Sequence, residues 1–450
     1  MRKFPTPSRL YWAARTAGYV AAEHRIPYLP REKLLQLRDA RARRIVKHAY
    51  ETVPFYRREM DQRRLKPGDI RSSEDLAQLP VISGQDLAED PLQFVSSAYP
   101  KDRLLELTTS GSSGHSKHVF WDKAAIFRAH ATGLRHRDVL SEFVGRRSGY
   151  RMVRIHRGGG TGHEVQAFHQ AHSWVPAIAD PLTVNLSPRE PFAEAVQVIN
   201  DHEPVVIRGF GACIGAIYRW AWAGGHRIFR PKVICYGGEH MPQHDRELIE
   251  SEYGIPVITS YQACEALRIA FQCERAEGLH ISVDQTDVRI ADSDGATLPP
   301  GETGRVLISN LVNRATVLLN YDLGDLGTMA VSACSCGRTL PVLDRLEGRA
   351  DDMVKLPGGE AAHESVVLSR LYGVPGVMRI QIIQTSIEDF RIKVVRSEGQ
   401  DWNSMQNELT VAMENALEGR PFRVQWEPVD HIDAEPSGKF KSVISLAEAT

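Results

Sequence analysis

Short β-like runs alternate with longer amphipathic segments from about residue 104 to residue 325, and this alternation constrains the fold more than any other feature. Residues 205–207 (Val-Val-Ile) and 233–236 (Val-Ile-Cys-Tyr) are β-like, whereas residues 192–200 and 243–253 have helical periodicity. Strands that alternate with amphipathic helices pair in parallel and are covered by those helices. The pattern predicts an α/β fold with parallel strand pairing over this region.

The flanking regions have different patterns. Apolar residues recur at helical spacing from residue 31 to about residue 56, where Pro54 is expected to end the helix. Beyond Gly348 the pattern predicts a small α+β domain, with helices near residues 364–371 and 402–417 and strands near 377–383, 390–395 and 422–426. One stripe of the second of these helices is interpreted as core: Trp402, Met405, Leu409, Met413 and Ala416.

Length and charge limit the possible functions. A chain of 450 residues is too long for one ordinary core, so two or more domains are expected. With 55 Lys and Arg against 56 Asp and Glu, its net charge of −1 gives no reason to expect binding to nucleic acid or to a membrane, and favours small-molecule chemistry. No run is apolar for long enough to span a bilayer, and residues 1–5 lack the apolar core of a signal peptide. We therefore expect a cytoplasmic protein.

A serine- and glycine-rich segment, residues 108–117, lies between two β-like runs and ends in Lys117. Glycines allow successive N–H groups to point into one concavity, hydroxyls add donors, and lysine supplies a charge for phosphate oxygens. The pattern is not a Walker P-loop, which needs Gly-Lys-Ser/Thr at the start of a helix. By itself the segment also fits an ordinary hairpin turn.

Further segments, taken with this loop, carry a family resemblance. They are Tyr236-Gly237-Gly238-Glu239, Tyr261-Gln262-Ala263-Cys264-Glu265, Tyr321-Asp322-Leu323-Gly324-Asp325, Gly348-Arg349-Ala350-Asp351-Asp352 and Pro436-Ser437-Gly438-Lys439. Their order and spacing resemble the adenylate-forming superfamily of acyl-CoA synthetases, adenylation domains and luciferases. Residues 48–56, 75–81, 278–281 and 334–338 narrow the resemblance to its phenylacetate-CoA ligase branch, over about residues 34–450.

The resemblance implies a fold and a domain division. It implies a large multi-subdomain N-terminal domain, residues 1–348, that has β-sheets flanked by helices and binds ATP and the acid. A small mobile α+β domain, residues 349–450, is expected to carry a catalytic lysine, Lys439. Asp351 matches the hinge about which the small domain rotates.

The resemblance also implies a reaction and its residues. A carboxylic acid is joined to AMP with release of pyrophosphate, and the acyl group is then transferred to the thiol of CoA. Lys439 would bridge the acid and the α-phosphate, and Glu265 would bind magnesium beside the ATP. Lys117 would hold the β- and γ-phosphates together with the loop residues Thr109, Ser110, Gly111, Ser112, Ser113 and Gly114. Positioned cations suit phosphoryl chemistry, in which negative charge crowds around the α-phosphorus.

The nucleoside half of ATP has its own expected partners. The segment Gly237, Gly238 and Glu239 would pack on the adenine, and Tyr261 would stack there. Asp325 would accept hydrogen bonds from both ribose hydroxyls, an acceptor role that suits a carboxylate. Arg349 would assist near the ribose.

Three of the six cysteines and one histidine form a candidate zinc site: Cys273, His280, Cys334 and Cys336. Three sulfurs and one imidazole are the ligands of a closed structural zinc site. The spacing alone also fits buried apolar thiols, and the resemblance favours zinc because some proteins of this branch carry a Cys/His site nearby. Cys213 and Cys235 are interpreted as core, and Cys264 stands where the family usually has a hydroxyl residue.

Residues 153–163 replace the aromatic and glycine-rich stretch that forms an aryl pocket in phenylacetate-CoA ligases. Here the stretch is cationic and polar, with His156, Arg157, Gly159 and His163 as candidate pocket residues. We predict an acid other than plain phenylacetate, with hydroxyl or acidic groups; alternatively, these side chains face solvent. Ser116, where proline is frequent, and Gly84, where the branch often has lysine, are smaller departures.

Two other functions remain open at this point. An adenylating ligase could transfer the acyl group to an amine or to the thiol of a carrier protein, and the ATP site does not separate these from CoA. A catalytically silent, zinc-stabilised binding protein is the third reading, against which intact Glu265, Asp325 and Lys439 argue. A homodimer would fit the branch.

Overall fold

The computed structural model describes residues 6–109, 116–156, 158–174, 182–349, 353–357, 360–397, 399–432 and 440–447. Its α-helices are α1 (Pro7–Glu23), α2 (Arg31–Thr52), α3 (Pro54–Gln62), α4 (Gly84–Glu89), α5 (Lys123–Val144), α6 (Thr161–His172), α7 (Phe192–His202), α8 (Gly211–Ala223), α9 (Gln243–Ser251), α10 (Glu364–Tyr372) and α11 (Trp402–Ala416).

The β-strands are β1 (Leu105–Thr109), β2 (Lys117–Trp121), β3 (Met152–Ile155), β4 (Thr183–Leu186), β5 (Val206–Gly209), β6 (Val233–Gly237), β7 (Val257–Tyr261), β8 (Ala270–Gln272), β9 (Leu279–Ile281), β10 (Thr286–Ala291), β11 (Thr303–Asn310), β12 (Tyr321–Met329), β13 (Val342–Arg349), β14 (Met353–Lys355), β15 (Ala361–His363), β16 (Val377–Gln384), β17 (Asp389–Arg396), β18 (Arg423–Pro428) and β19 (Val443–Ser445).

The chain forms two compact units. The first contains residues 1–147, 158–179 and 259–346, and the second contains residues 148–157, 180–258 and 347–450. Each unit is therefore assembled from segments that are distant in sequence.

Antiparallel pairing dominates the first unit. β1 pairs with β2, and the strand order β10-β11-β12-β13-β9-β8-β7 includes antiparallel pairs of β10 with β11, β11 with β12, and β8 with both β7 and β9. The prediction of parallel pairing up to residue 325 is wrong here. After β7 the strands are joined by short connections in place of crossover helices. Parallel neighbours need a long crossover, so strands joined by short connections pair antiparallel.

The second unit contains the parallel strands that the sequence predicts. β3 pairs in parallel with β4 and β5, and β5 pairs in parallel with β6. Ile207 and Ile234 are fully buried and pack with apolar residues of α7 and α8, such as Ile199 and Ile217. The cysteines predicted to be core, Cys213 and Cys235, are both buried.

A separate sheet in the same unit has the order β18-β17-β16-β19 and packs with α10 and α11. β16 and β17 are antiparallel, whereas β18 and β19 join the sheet in parallel. The stripe predicted for α11 faces this core, with Met405, Leu409, Met413 and Ala416 buried and Trp402 partly buried against them. The predicted small α+β arrangement is confirmed.

Pro54 ends one helix and begins another. α2 ends at Thr52, Val53 is extended, and Pro54 is the first residue of α3, a position where its missing N–H costs nothing. Among the residues that the structure describes, no helix combines the length and the apolar character needed to cross a membrane.

Candidate active site

Lys117, Tyr321 and Glu265 form a compact polar group in the first unit, which we call the lysine–glutamate cluster. Lys117 Nζ donates to the Tyr321 hydroxyl at 3.0 Å, and this hydroxyl donates to Glu265 Oε1 at 3.0 Å. Lys117 Nζ also lies 3.6 Å from Glu265 Oε1. Glu265 is only 5% exposed and Tyr321 is fully buried, so water screens these interactions less than at a surface.

Gly84 makes room for the lysine. A Cβ at this first residue of α4 would lie 2.7 Å from Lys117 Nζ, too close for any side chain unless the lysine moved. The helix start is fixed by a capping box between Ser83 and Asp86. The sequence departure at Gly84 therefore has a structural consequence, because it leaves space that Lys117 fills.

The main chain around Glu265 is held on several sides. Asn310 Nδ2 donates to the Glu265 carbonyl at 3.0 Å, and Trp121 Nε1 donates to the Cys264 carbonyl at 3.1 Å. The Cys264 thiol lies 2.9 Å from the hydroxyl of Thr161, the first residue of α6. These contacts hold the main chain that carries Glu265, while the Tyr321 hydroxyl orients its carboxylate.

Tyr261 and Asp325 form the second predicted pair that the structure brings together. The Tyr261 hydroxyl donates to Asp325 Oδ2. Nearby, Asp322 accepts from the backbone N–H of Gly324 at 2.8 Å and pairs with Arg305. Gly324 lies within β12 and, immediately before Asp325, adopts a φ of +76°, a conformation that other residues rarely adopt.

Other predicted site residues lie in the second unit. Gly237 ends β6, Gly238 has a φ of +79°, and Glu239 Oε1 accepts from the backbone N–H of Phe440 at 3.2 Å. Arg349 ends β13. His156 directly follows β3, and its Nε2 lies 2.9 Å from Oδ1 of Asn185 in the neighbouring strand β4.

The first unit holds Gly159 and His163. Gly159 has a φ of +92° and His163 is exposed on the first turn of α6. Several predicted residues lie outside the described residues: Ser110, Gly111, Ser112, Ser113, Gly114, Arg157, Asp351 and Lys439. Thr109 is the last residue of β1, and its side chain is also outside the part of the chain that the structure describes.

The four candidate zinc ligands do converge, and we call them the Cys/His cluster: Cys273, His280, Cys334 and Cys336. Their ligand atoms all lie within 4.8 Å of one another, with 3.6 Å between Cys273 Sγ and Cys334 Sγ and 3.3 Å between Cys336 Sγ and His280 Nε2. Tetrahedral zinc with Zn–S bonds of 2.3 Å separates two sulfurs by about 3.8 Å. The donor set and its spacing therefore fit zinc.

A surrounding shell supports the Cys/His cluster. Arg338 Nη1 contacts both carboxylate oxygens of Glu274, at 3.0 and 2.9 Å, and Glu277 accepts from the backbone and side chain of Ser335. Burial, with Arg338 nearby, lowers the pKa of His280 to about 4, so the imidazole is neutral at pH 7. β9 carries His280 and the loop before β13 carries Cys334 and Cys336, so this group links the two segments.

Tyr321 was missed as a functional residue by the sequence analysis, although it is the first residue of a motif that carries the resemblance. It connects Lys117 to Glu265, which are 148 positions apart. Its full burial at the start of β12 could not be read from the motif. Trp121 and Asn310 were missed as well, because they act only through backbone carbonyls.

Comparisons with known proteins find similar proteins over most of the chain. The CapK C-terminal domain family matches residues 359–446. The phenylacetate-coenzyme A ligase of Thermus thermophilus is 26% identical over 388 residues, covering 82% of this chain and 83% of that protein. The enzyme of the same name from Escherichia coli is 26% identical over 337 residues, covering 73% and 74%.

Solved structures show the same fold. A 2-hydroxyisobutyryl-CoA ligase in the postadenylation state, bound to R3-HIB-AMP, matches with a TM-score of 0.75 and 20% identity over 94% of this chain and 91% of that one. The ligase in its thioesterification state, bound to 2-HIB-AMP and CoA, gives a TM-score of 0.61 and 21% identity over 95% and 92%.

Proposed function

We propose that this chain, a phenylacetate-CoA ligase homologue with the fold of the adenylate-forming CoA ligases, joins a small carboxylic acid to AMP and then transfers the acyl group to CoA. The lysine–glutamate cluster carries this proposal. It places a phosphate-binding cation and a metal-binding carboxylate side by side, as a reaction that releases pyrophosphate requires.

Each residue of the cluster has a distinct role in the proposal. Lys117, only partly buried, binds the leaving pyrophosphate together with the loop residues 109–114. Glu265 fits magnesium because its carboxylate is a hard oxygen ligand, buried and fixed in direction by Asn310 and Tyr321. Bound there, the ion would neutralise phosphate charge. Lys439 bridges the acid carboxylate and the α-phosphate, which brings the two reacting groups together and stabilises their combined charge.

The nucleoside is held by the other motifs in this proposal. Asp325, oriented by Tyr261, accepts hydrogen bonds from the ribose hydroxyls, and Arg349 assists it. Gly237, Gly238 and Glu239 pack against the adenine.

We also propose that residues 1–348 and 349–450 are the functional domains, with Asp351 as the hinge between them. The 2-hydroxyisobutyryl-CoA ligase matches this chain with different TM-scores in its two states. That difference within one relative supports a fold whose parts are rearranged between the two half-reactions.

The Cys/His cluster is proposed to bind one structural zinc ion. All four ligand positions come from the protein, so the site would be closed and would have no position for substrate. Its role is to fix β9 to the loop that precedes β13.

The acid is proposed to be one other than plain phenylacetate, bearing hydroxyl or acidic groups. The polar segment that contains His156, Arg157, Gly159 and His163 supports this choice. ATP and CoA as substrates favour a cytoplasmic location, and a homodimer is proposed from the resemblance alone.

Pyrophosphate release tests the adenylation half of the proposal. The purified chain is incubated with ATP, magnesium and a panel of phenylacetate, aryl, hydroxy and dicarboxylic acids. We expect acid-dependent release, faster with a polar acid than with phenylacetate, and loss of release in Lys439→Ala. Lys441→Ala is the matched control and should retain activity. Release that survives undiminished in Lys439→Ala would disprove the proposed chemistry, and a clear preference for phenylacetate would disprove the acid class.

Product analysis tests the acceptor. The preferred acid and ATP are supplied with CoA, with a set of amines, or with a phosphopantetheinylated carrier protein, and products are identified by mass spectrometry. We expect the acyl-CoA thioester. An amide or an acylated carrier protein formed in its place would assign the acceptor differently while leaving adenylation intact.

A further inference from the structure

A group of buried and partly buried charged and aromatic side chains joins the C-terminal sheet to helices α8 and α9 within the second unit. Arg219 of α8 donates through Nη2 to the carbonyl of Met378 in β16, and through Nη1 to the carboxylate of Asp245 in α9. Arg219 Nη1 also lies 2.6 Å from His244 Nε2. A guanidinium has no acceptor, so this imidazole nitrogen accepts the hydrogen bond.

Tyr372, the last residue of α10, completes the group. Its ring centroid lies 4.3 Å from that of His244, with 24° between the planes, and 4.5 Å from the guanidinium carbon of Arg219. Its hydroxyl accepts from the backbone N–H of Ile380 at 3.2 Å. We call Arg219, His244, Asp245, Tyr372 and Met378 the docking cluster.

Solvent is largely excluded from the docking cluster. Asp245 is fully buried and the Arg219 side chain is only 11% exposed. Charged hydrogen bonds shielded in this way resist competition from water and salt far better than surface ion pairs. Salt therefore screens this contact only weakly.

Two glycines of α8 allow this contact. A Cβ at Gly215 would lie 2.3 Å from Asp245 Oδ2, and one at Gly211 would lie 2.6 Å from the backbone nitrogen of Met241. Without side chains at these positions, α8 approaches residues 240–245 closely. Arg219 follows Gly215 by one helical turn and so lies beside Asp245.

A second contact ties the end of the chain to the predicted adenine segment. The guanidinium carbon of Arg379 lies 4.9 Å from the ring centroid of Phe440 and 5.8 Å from that of Phe192. The Phe440 backbone N–H donates to Glu239 Oε1 at 3.2 Å. Phe440 directly follows Lys439 in the sequence, so this contact lies one residue from the proposed catalytic lysine.

We propose that Arg219 and Tyr372 are positioning residues that hold the C-terminal sheet on α8 and α9 and thereby place Lys439 for adenylation. This inference rests on the proposed function. It implies that the docking cluster is needed when the acid is joined to AMP. On the proposed domain division, with Asp351 as the hinge, the cluster would not be needed when CoA consumes the adenylate.

Four variants test the inference. Tyr372→Leu removes the ring that contacts Arg219 and His244 but leaves the buried Arg219–Asp245 pair intact, while Tyr372→Phe keeps the ring. Arg219→Ala removes the centre of the cluster. Arg230→Ala is the matched control, because Arg230 also lies over a tyrosine ring of the same unit, that of Tyr253, at 5.7 Å.

Three measurements are made on each variant: backbone amide exchange by mass spectrometry, acid-dependent pyrophosphate exchange, and thioester formation from supplied acyl-adenylate and CoA. In Tyr372→Leu and Arg219→Ala we expect faster amide exchange in residues 372–384 and 440–447. We expect pyrophosphate exchange to fall by about tenfold or more, with thioester formation within about twofold of the wild type. Arg230→Ala should match the wild type, whereas Tyr372→Phe, which keeps the ring but loses the hydrogen bond from Ile380, should fall between the wild type and Tyr372→Leu.

Unchanged amide exchange in Tyr372→Leu would overturn the docking role. Equal loss of both half-reactions would also overturn the inference, because it would indicate a merely structural contribution. A wild-type chain that releases no pyrophosphate with any acid would count against the proposed function, and the amide exchange would still decide whether the docking cluster holds the C-terminal sheet.

Discussion

The lysine–glutamate cluster and the Cys/His cluster both lie in the first unit and both join residues from distant parts of the chain, yet their composition differs. Lys117 and Glu265 are opposite charges bridged by a hydroxyl, an arrangement that phosphate and magnesium can rearrange. The Cys/His cluster offers four ligands at the spacing of one ion and is enclosed by Arg338, Glu274 and Glu277. On this difference we propose that the lysine–glutamate cluster serves catalysis and that the Cys/His cluster, with its complete ligand set, serves structural support.

Removing one ligand of the Cys/His cluster should have the largest effect and should fall on stability. In Cys334→Ala we expect bound zinc to be lost and the free energy of unfolding to fall by about 5 kcal/mol or more. Elemental analysis and denaturant unfolding measure the two effects. Cys213→Ala is the control, since it removes a buried thiol outside the cluster. If the two variants lose equal stability, the cluster holds no metal.

Removing the carboxylate of the other cluster should affect catalysis and spare the fold. In Glu265→Gln we expect pyrophosphate release to slow by about 100-fold or more, with little change in unfolding temperature. Steady-state kinetics and thermal unfolding check this. Glu106→Gln is the matched control because Glu106 also contacts a side chain of β2, that of His118 at 2.6 Å, but at an exposed position. Full activity in Glu265→Gln would show that the lysine–glutamate cluster does not contribute to catalysis.

A buried carboxylate outside both clusters sharpens the distinction between structural and functional charges. Burial raises the pKa of Asp287 to about 6, although Arg38 lies 3.7 Å away. The folded state therefore holds its proton more tightly than the unfolded state, and stability should fall as pH rises from about 4 to about 6, then stay level. We expect Asp287→Asn to flatten this slope, which amounts to about 3 kcal/mol over the range. Denaturant unfolding across pH measures it, and an unchanged slope would contradict this assignment.

The hydroxyl that bridges the lysine–glutamate cluster should have the smallest effect. Tyr321→Phe keeps the buried ring but removes the link between Lys117 and Glu265, and we expect adenylation to slow by about tenfold. Tyr56→Phe is the control, because the Tyr56 hydroxyl is equally buried and bonded only to backbone, accepting from Leu319 and donating to Val317. That variant should lose stability without losing catalytic rate; the reverse pattern would contradict the assigned roles.

The sequence predicted those parts of the fold in which the local pattern of apolar residues is compatible with only one kind of secondary structure and pairing. The parallel strands β5 and β6 and the stripe of α11 follow from apolar periodicity, and the structure confirms both. The antiparallel strands after β7 were predicted wrongly, since a short apolar run has the same appearance in either pairing. The direction of these strands is determined by the connections between them, which are short and contain no helix in the described residues 262–341.

The sites show the same limit. Motif residues such as Glu265 and Asp325 could be named from the sequence because each lies in a recognisable segment. Tyr321 and the docking residues Arg219 and Tyr372 acquire their roles through contacts between distant elements, and no local pattern indicates such contacts. The glycines of α8 were the available signal, because Gly211 and Gly215 are four positions apart on one helix face.

The fate of the carboxylate oxygens tests the central claim most directly. The preferred acid, with both oxygens replaced by oxygen-18, is converted with ATP and CoA, and the nucleotide product is examined by mass spectrometry. Attack of the carboxylate on the α-phosphate predicts AMP that carries one labelled oxygen, because the bond broken in the second step lies between the carbonyl carbon and that oxygen. Formation of ADP with the label in inorganic phosphate would contradict the account.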